Sequence, residues 1–124
     1  GAVGDLSFEL AEIDWLTYLK QQMNVTMIRH TALRGKPVKR VAVCGGAGSF
    51  LLPDAIRAGA DVFVTADYKY HEFFDAEGQT VICDIGHYES EVFTKDLIVQ
   101  HLRQKFTTFA VISAETDTNP VFYF

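Results

Sequence analysis

The sequence predicts an α/β fold, with a layered, mostly parallel sheet and helices on both of its faces. Short apolar segments alternate with helical patterns from residue 38 onward, and this alternation is typical of β-α-β units. The predicted strands are apolar, as strands covered on both faces usually are. A chain of 124 residues that is 48% hydrophobic can bury a core, so a single domain is predicted over residues 1–124.

The amino-terminal third is predicted to contain a helix, a strand and a loop. Ser7 can cap the helix. The apolar positions of that helix recur at helical spacing: Leu10, Ile13, Leu16, Leu19 and Met23. Residues 25–30 are rich in β-branched and apolar side chains and predict a strand. Gly and Pro residues predict a loop over 31–37.

The rest of the chain follows a regular alternation of strands and helices. Strands are predicted over 38–44, 61–66, 80–83 and 108–113. Helices are predicted over 53–60, 69–76 and 88–106. Pro53 suits the first turn of the first of these helices. Such β-α-β units should cross over with the right hand and form a mostly parallel sheet.

Charge and composition argue against two classes of partner. The formal net charge is −5, and the eleven basic residues are scattered, whereas a nucleic-acid groove needs a dense positive stripe. No apolar run approaches the roughly 20 residues that cross a bilayer.

Cys44 and Cys83 do not form a CxxC pair, and buried reduced thiols in a cytoplasmic protein are predicted. The chain begins without Met, which suggests a processed product or part of a longer protein.

Polar and glycine-rich segments follow the predicted strands at their carboxyl ends. In parallel α/β sheets, ligands bind beyond these ends, so the segments are expected to meet at one edge. The residues in question are Gly45–Ser49, Asp67–His71, Asp84–His87 and Glu91. The glycine loop has two interpretations of equal weight. Its backbone N–H groups can approach an anion, or it is a tight turn that matches no complete phosphate-binding motif.

His87 and Glu91 are the strongest candidates for metal ligands. They are four residues apart, which places them on one face of a helix, and Asp84 precedes them. The helix over 88–106 has an apolar stripe predicted to face the sheet, with Glu91 inside the stripe and His87 at its edge. Its members are Val92, Ile98, Val99, Leu102 and Phe106. The alternative is a partly buried ion pair without a metal, and the two interpretations have about equal weight.

Asp67 and His71 have the same i, i+4 spacing. They are candidate ligands, or a general acid/base pair beside a metal-bound water. The competing interpretation, favoured by the residues alone, is that Asp67 caps the helix near Lys69 and that His71 is an ordinary surface histidine.

Three segments in chain order resemble the carboxyl-terminal half of the Nif-three-like family (Ngg-one-interacting factor three), often labelled GTP cyclohydrolase type two homologues. They are residues 41–49 (VAVCGGAGS), 65–71 (TADYKYH) and 84–91 (DIGHYESE). The resemblance implies one lobe of a two-lobed α/β protein whose amino-terminal lobe is missing here. It also implies assembly as a homo-oligomer, a hexamer in this family.

The resemblance further implies two divalent metal ions per full-length subunit, with zinc, manganese, iron or magnesium as candidates. His87 and Glu91 match the family's ligands in this half, whereas Asp67 and His71 match a segment that lines the cleft, where Ala66 replaces a glycine. The implied function is metal-dependent hydrolysis of a nucleotide or phosphate-type small molecule; the alternative is a non-catalytic, metal-stabilised scaffold. No adjacent His-His pair is present, so the isolated chain is predicted to bind metal weakly and to be inactive.

Overall fold

A computed structural model describes all 124 residues and contains one five-stranded mixed sheet. The spatial order of its strands is β1-β3-β4-β5-β2. The strands are β1 (Ala2–Leu10), β2 (Arg29–His30), β3 (Val38–Ala47), β4 (Val62–Ala66) and β5 (Val81–Asp84). β3, β4 and β5 run parallel, whereas β1 joins β3 and β2 joins β5 in antiparallel pairs. The predicted α/β class is confirmed, and the predicted parallel pairing holds for the three central strands only.

Four α-helices and two 3₁₀ helices accompany the sheet. The α-helices are α1 (Glu12–Gln22), α2 (Leu52–Arg57), α3 (His87–Glu91) and α4 (Phe93–Lys105). The 3₁₀ helices are Ser49–Leu51 and Tyr70–Ala76. None of the helices combines the length and the apolar character that crossing a membrane requires.

The chain divides into two compact units, Gly1–Ser90 and Glu91–Phe124. The first unit contains the whole sheet and both clusters of buried apolar side chains. The second contains α4 and the residues that follow it. That residues 1–124 act as one domain of a longer protein stays a prediction.

The central strands bury both of their faces, as the apolar sequence pattern predicts. Because successive side chains of a strand point to opposite faces, Val62 and Val64 pack with α1, and Phe63 packs with α2. The buried α1 residues are Trp15 and Leu19. Helices therefore cover both faces of the sheet.

The amino terminus differs from the prediction. Residues 2–10 form β1, and α1 begins at Glu12 after an extended Ala11, so the helix does not start near Ser7. The strand exists because it pairs with β3, with Ala2 opposite Val43, and local sequence spacing cannot reveal so distant a partner. The strand predicted over 25–30 is reduced to β2, a two-residue pair with β5.

The carboxyl-terminal predictions are also corrected. The long helix is present as two consecutive helices, α3 and α4, and residues 108–113 form no strand. Both edges of the β3-β4-β5 core are already occupied, by β1 and β2. The apolar stripe lies on α4, in which no side chain is buried and Ile98 is 53% exposed. Amphipathic spacing indicates that this face favours a partner, and that the partner is the sheet stays a prediction.

Candidate functional site

The carboxyl ends of the three parallel strands meet at one edge of the sheet. β4 ends at Ala66 and β5 at Asp84, and the two are in register with Thr65 opposite Asp84. Asp67 and His87 lie just beyond these ends. The register therefore places both side chains at the edge where α/β proteins bind ligands.

Asp67 and His87 form a close carboxylate–imidazole pair. Oδ2 of Asp67 lies 2.6 Å from Nδ1 of His87, and about half of each side chain is exposed. An ionised carboxylate can only accept hydrogen bonds, so Nδ1 carries the proton and donates it. The lone pair of the neutral ring then resides on Nε2, the atom that can bind a cation.

The backbone of Asp67 is specialised for this contact. Its φ of 59° lies in the left-handed region, which aspartate enters more readily than most residues with a side chain. The chain turns there directly after β4, and Tyr68 then returns to the core. The same turn explains why Asp67 does not cap the following 3₁₀ helix: the N-cap of that helix is Lys69, whose N–H donates to Glu72 Oε2 at 3.0 Å.

Asp84 anchors the two backbone segments that carry this pair. It is only 5% exposed, and its Oδ2 accepts a hydrogen bond from the N–H of Tyr68 at 3.1 Å. Its Oδ1 accepts one from the N–H of Gly86, also at 3.1 Å. These two amides adjoin Asp67 and His87 in the sequence. The buried carboxylate is therefore committed to holding the edge together, and is not directed at a ligand.

Arg29 completes the anchor. Its Nη1 donates to Asp84 Oδ2 at 3.1 Å and its Nη2 donates to the carbonyl of Tyr68 at 2.9 Å. The guanidinium lies 5.0 Å from the centroid of the Phe73 ring, a favourable cation–π position. No sequence signal singled out this arginine, because its partner Asp84 lies 55 residues away.

The glycine loop is tied to the same edge by Ser90. Ser90 Oγ accepts a hydrogen bond from the N–H of Gly46 at 2.8 Å and donates one to the carbonyl of His87 at 2.8 Å. Thr65 Oγ1 donates to the carbonyl of Gly46 at 3.1 Å. Since the Gly46 N–H is already bonded within the chain, the structure favours the tight-turn interpretation of this loop over an anion cradle at that amide.

The other two predicted site residues are His71 and Glu91. His71 is exposed on the Tyr70–Ala76 helix, where its ring packs edge-on against Tyr70 with centroids 5.1 Å apart. Glu91 ends α3, begins the second compact unit and is exposed. That His87 and Glu91 point toward the sheet stays a prediction. Their roles as ligands, and those of Asp67 and His71 in catalysis, stay predictions.

The residues present fit part of a metal site. A carboxylate that accepts from Nδ1 of a histidine is the usual support of an imidazole that binds metal through Nε2. However, no three or more His, Cys, Asp or Glu side chains of this chain come together around one point. Zinc sites in proteins need three or four protein ligands, so further ligands would have to come from outside the chain.

The fold and the side chains at the carboxyl ends of its strands define an α/β protein whose parallel strands end at a carboxylate–imidazole pair. The family model described as Duf34/NIF3 (NGG1p interacting factor 3) matches residues 1–120. The chain therefore belongs to the Duf34/NIF3 family, as the three sequence segments predict.

Relatives and solved structures agree with this assignment. A Staphylococcus epidermidis protein named GTP cyclohydrolase 1 type 2 homolog is 35% identical over 99% of this chain and 35% of its own length. A Bacillus subtilis protein of the same name is 36% identical over 97% of this chain and 33% of its own length. The crystal structure of a Bacillus cereus protein related to NIF3 has a TM-score of 0.89 and 28% identity, covering 98% of this chain and 35% of that one. The chain thus spans about a third of the length of these relatives.

Proposed function

We propose that this chain is the metal-binding lobe of a two-lobed, dinuclear metal protein that hydrolyses a nucleotide or phosphate-type substrate. The observation that carries the proposal is the 2.6 Å contact between Asp67 Oδ2 and His87 Nδ1 at the edge of the parallel strands. That contact orients one imidazole and fixes its tautomer, which are the properties required of a histidine ligand.

In this proposal, His87 Nε2 and the Glu91 carboxylate hold a divalent cation, and Asp67 orients the imidazole through Nδ1. A bound divalent ion supplies Lewis acidity and lowers the pKa of a coordinated water. His71, on the neighbouring crossover, is proposed to exchange protons with the substrate or leaving group. Asp84, Arg29 and Ser90 hold the backbone of the edge in place.

The lack of a three-ligand cluster within the chain gives the proposal a second component. The remaining ligands are proposed to come from an amino-terminal lobe, consistent with relatives about three times as long. A shared ion would then also hold two lobes together. This arrangement is the basis of the alternative function, a metal-stabilised scaffold without catalysis.

Zinc titration of the chain tests the ligand assignment. Imidazole ¹⁵N NMR should show the His87 Nε2 signal shifting with zinc while Nδ1 stays protonated, and the apparent Kd should be weaker than about 10 µM because ligands are missing. Zinc binding to the chain, followed by calorimetric titration, should be lost in His87→Ala. His71→Ala is the matched control and should leave it unchanged. Tight stoichiometric binding by the isolated chain, or zinc binding that survives His87→Ala, would contradict the assignment.

Hydrolysis requires a protein of full family length that carries this sequence. A phosphatase and phosphodiesterase screen should show activity that His87→Ala lowers by at least about 100-fold, in the range of losses seen when catalytic groups are removed. Equal activity in both proteins, with metal retained by the parent protein, would eliminate the hydrolase and leave the scaffold.

A further inference from the structure

A cavity lies on the sheet face that packs with α2, and neither Asp67 nor His87 lines it. We propose that this cavity binds a small organic cation that has an apolar body and a hydrogen-bond acceptor. It is formed between α2, the residues just before it, and the Tyr70–Ala76 helix with the turn that follows. The lining residues that determine what it can bind are Phe50, Pro53, Ile56, Tyr68, Glu72 and Asp75. All of these residues belong to the Gly1–Ser90 unit.

The size and walls of the cavity suit a small molecule. Its volume is about 670 Å³, within the range of roughly 300–1,000 Å³ that is typical of ligand pockets. Phe50, Pro53 and Ile56 provide an apolar wall. The Phe50 ring is 73% exposed, and an exposed aromatic face at a pocket is well placed to contact an apolar or cationic group.

The charge of the lining selects for a cation. Glu72 and Asp75 contribute two carboxylates, and no Lys, Arg or His side chain lines the cavity. Asp75 is exposed and belongs to none of the ion pairs of the chain. An ammonium group placed between the two acids would therefore meet a negative potential that no neighbouring cation in the lining cancels.

The Tyr68 hydroxyl indicates a hydrogen-bond acceptor on the ligand. Tyr68 is 2% exposed, and its hydroxyl is buried without a hydrogen-bond partner, an unfavourable state for a polar group. Burial, followed by the nearby carboxylates of Glu72, Asp75 and Asp84, raises the pKa of the phenol. The hydroxyl therefore remains a donor at neutral pH, and an acceptor atom on a bound molecule would satisfy it.

4-Methoxybenzylamine is a probe that carries all three features: an ammonium, an aromatic ring and an ether oxygen. Binding to the whole chain is measured by chemical-shift titration. 4-Ethylbenzylamine lacks the acceptor and should bind about 5-fold more weakly, the value of one neutral hydrogen bond. 4-Methoxyphenylacetate reverses the charge and should not bind. Equal affinity of the three compounds would overturn the proposal.

Substitutions separate the contribution of the Tyr68 hydroxyl to binding from that of the carboxylates. Tyr68→Phe should lower the affinity for 4-methoxybenzylamine to that for 4-ethylbenzylamine, and it should leave the affinity for 4-ethylbenzylamine unchanged. Because this change removes an unsatisfied buried hydroxyl, Tm should not fall, which guards against misfolding as an explanation. Asp75→Asn should weaken both amines about 3-fold or more, whereas Asp54→Asn, at an exposed acid paired with Arg57 outside the lining, should weaken neither. Unchanged binding in both Tyr68→Phe and Asp75→Asn would refute the site.

Discussion

Replacing Asp84 by Asn tests how the sheet edge holds the Asp67–His87 pair. The Asp84 carboxylate accepts hydrogen bonds from the amides of Tyr68 and Gly86 and from Arg29. An Asn side chain has one acceptor oxygen and one donor NH₂ group. One of the donors around position 84 would therefore face another donor, and the charge would be lost.

The magnitude follows from burial. A hydrogen bond to a charged group contributes about 1.5–3 kcal/mol to stability. Because Asp84 is only 5% exposed, we assign a contribution in this range to its hydrogen bonds with the backbone amides. Arg29 is 52% exposed, so the ion-pair part is screened and adds at most about 1 kcal/mol. We expect Asp84→Asn to lower the free energy of unfolding by about 2–4 kcal/mol.

Two measurements check this expectation. Urea unfolding gives the change in stability, and it should occur without a change in the m-value. Hydrogen exchange should show faster opening of the Tyr68 and Gly86 amides. Imidazole ¹⁵N NMR should show that His87 no longer has Nδ1 predominantly protonated, because Asp67 is no longer held beside it.

Asp61→Asn provides the matched control. Asp61 Oδ2 accepts the amides of Lys39 and Arg40 at 2.9 and 2.8 Å, near the opposite end of the sheet. This change should also destabilise the chain while leaving the His87 tautomer intact. The assigned role of Asp84 would be refuted if Asp84→Asn changed the free energy of unfolding by less than about 0.5 kcal/mol. It would also be refuted if His87 remained protonated at Nδ1 in both variants.

Two further predictions concern close packing around Gly48 and the burial of Cys83. Gly48→Ala should lower the free energy of unfolding by about 1–3 kcal/mol, because the added Cβ would lie 2.4 Å from Thr65 Oγ1. Gly4→Ala is the control: its Cβ would meet nothing within 4 Å, so thermal unfolding should be nearly unchanged. Burial raises the pKa of the Cys83 thiol to about 12, so iodoacetamide at pH 8 should alkylate the partly exposed Cys44 at least about 100-fold faster than Cys83. Mass spectrometry of timed digests gives both rates, and comparable labelling of the two cysteines in folded protein would contradict the second prediction.

The central strands could be predicted from the sequence, whereas the first and last elements of the chain could not. β4 is apolar because both of its faces are buried, so its own sequence pattern is enough to predict a strand. β1 is different, because only its pairing with β3 makes it a strand, and its apolar spacing also suits a helix. At the carboxyl end, the apolar residues of α4 satisfied the rule for an amphipathic helix, although none of them is buried.

For the candidate site, topology was predictable and pairing was not. The convergence of Asp67 and His87 follows from parallel strands ending at one edge. Their contact depends on the register of β4 and β5 and on the left-handed backbone of Asp67. The helical spacing of Asp67 and His71 suggested a different partner. The anchors Arg29 and Ser90 carried no local signal, since each bonds to residues distant in the chain.

The central claim is that His87 binds a divalent cation through Nε2 while Asp67 holds Nδ1. Anomalous diffraction from zinc-soaked crystals of a full-length family protein carrying this sequence tests it most directly. The account predicts a zinc peak about 2.0–2.1 Å from His87 Nε2, with Asp67 still hydrogen-bonded to Nδ1. A zinc ion bound elsewhere, or bound to Nδ1 with Asp67 displaced, would contradict it.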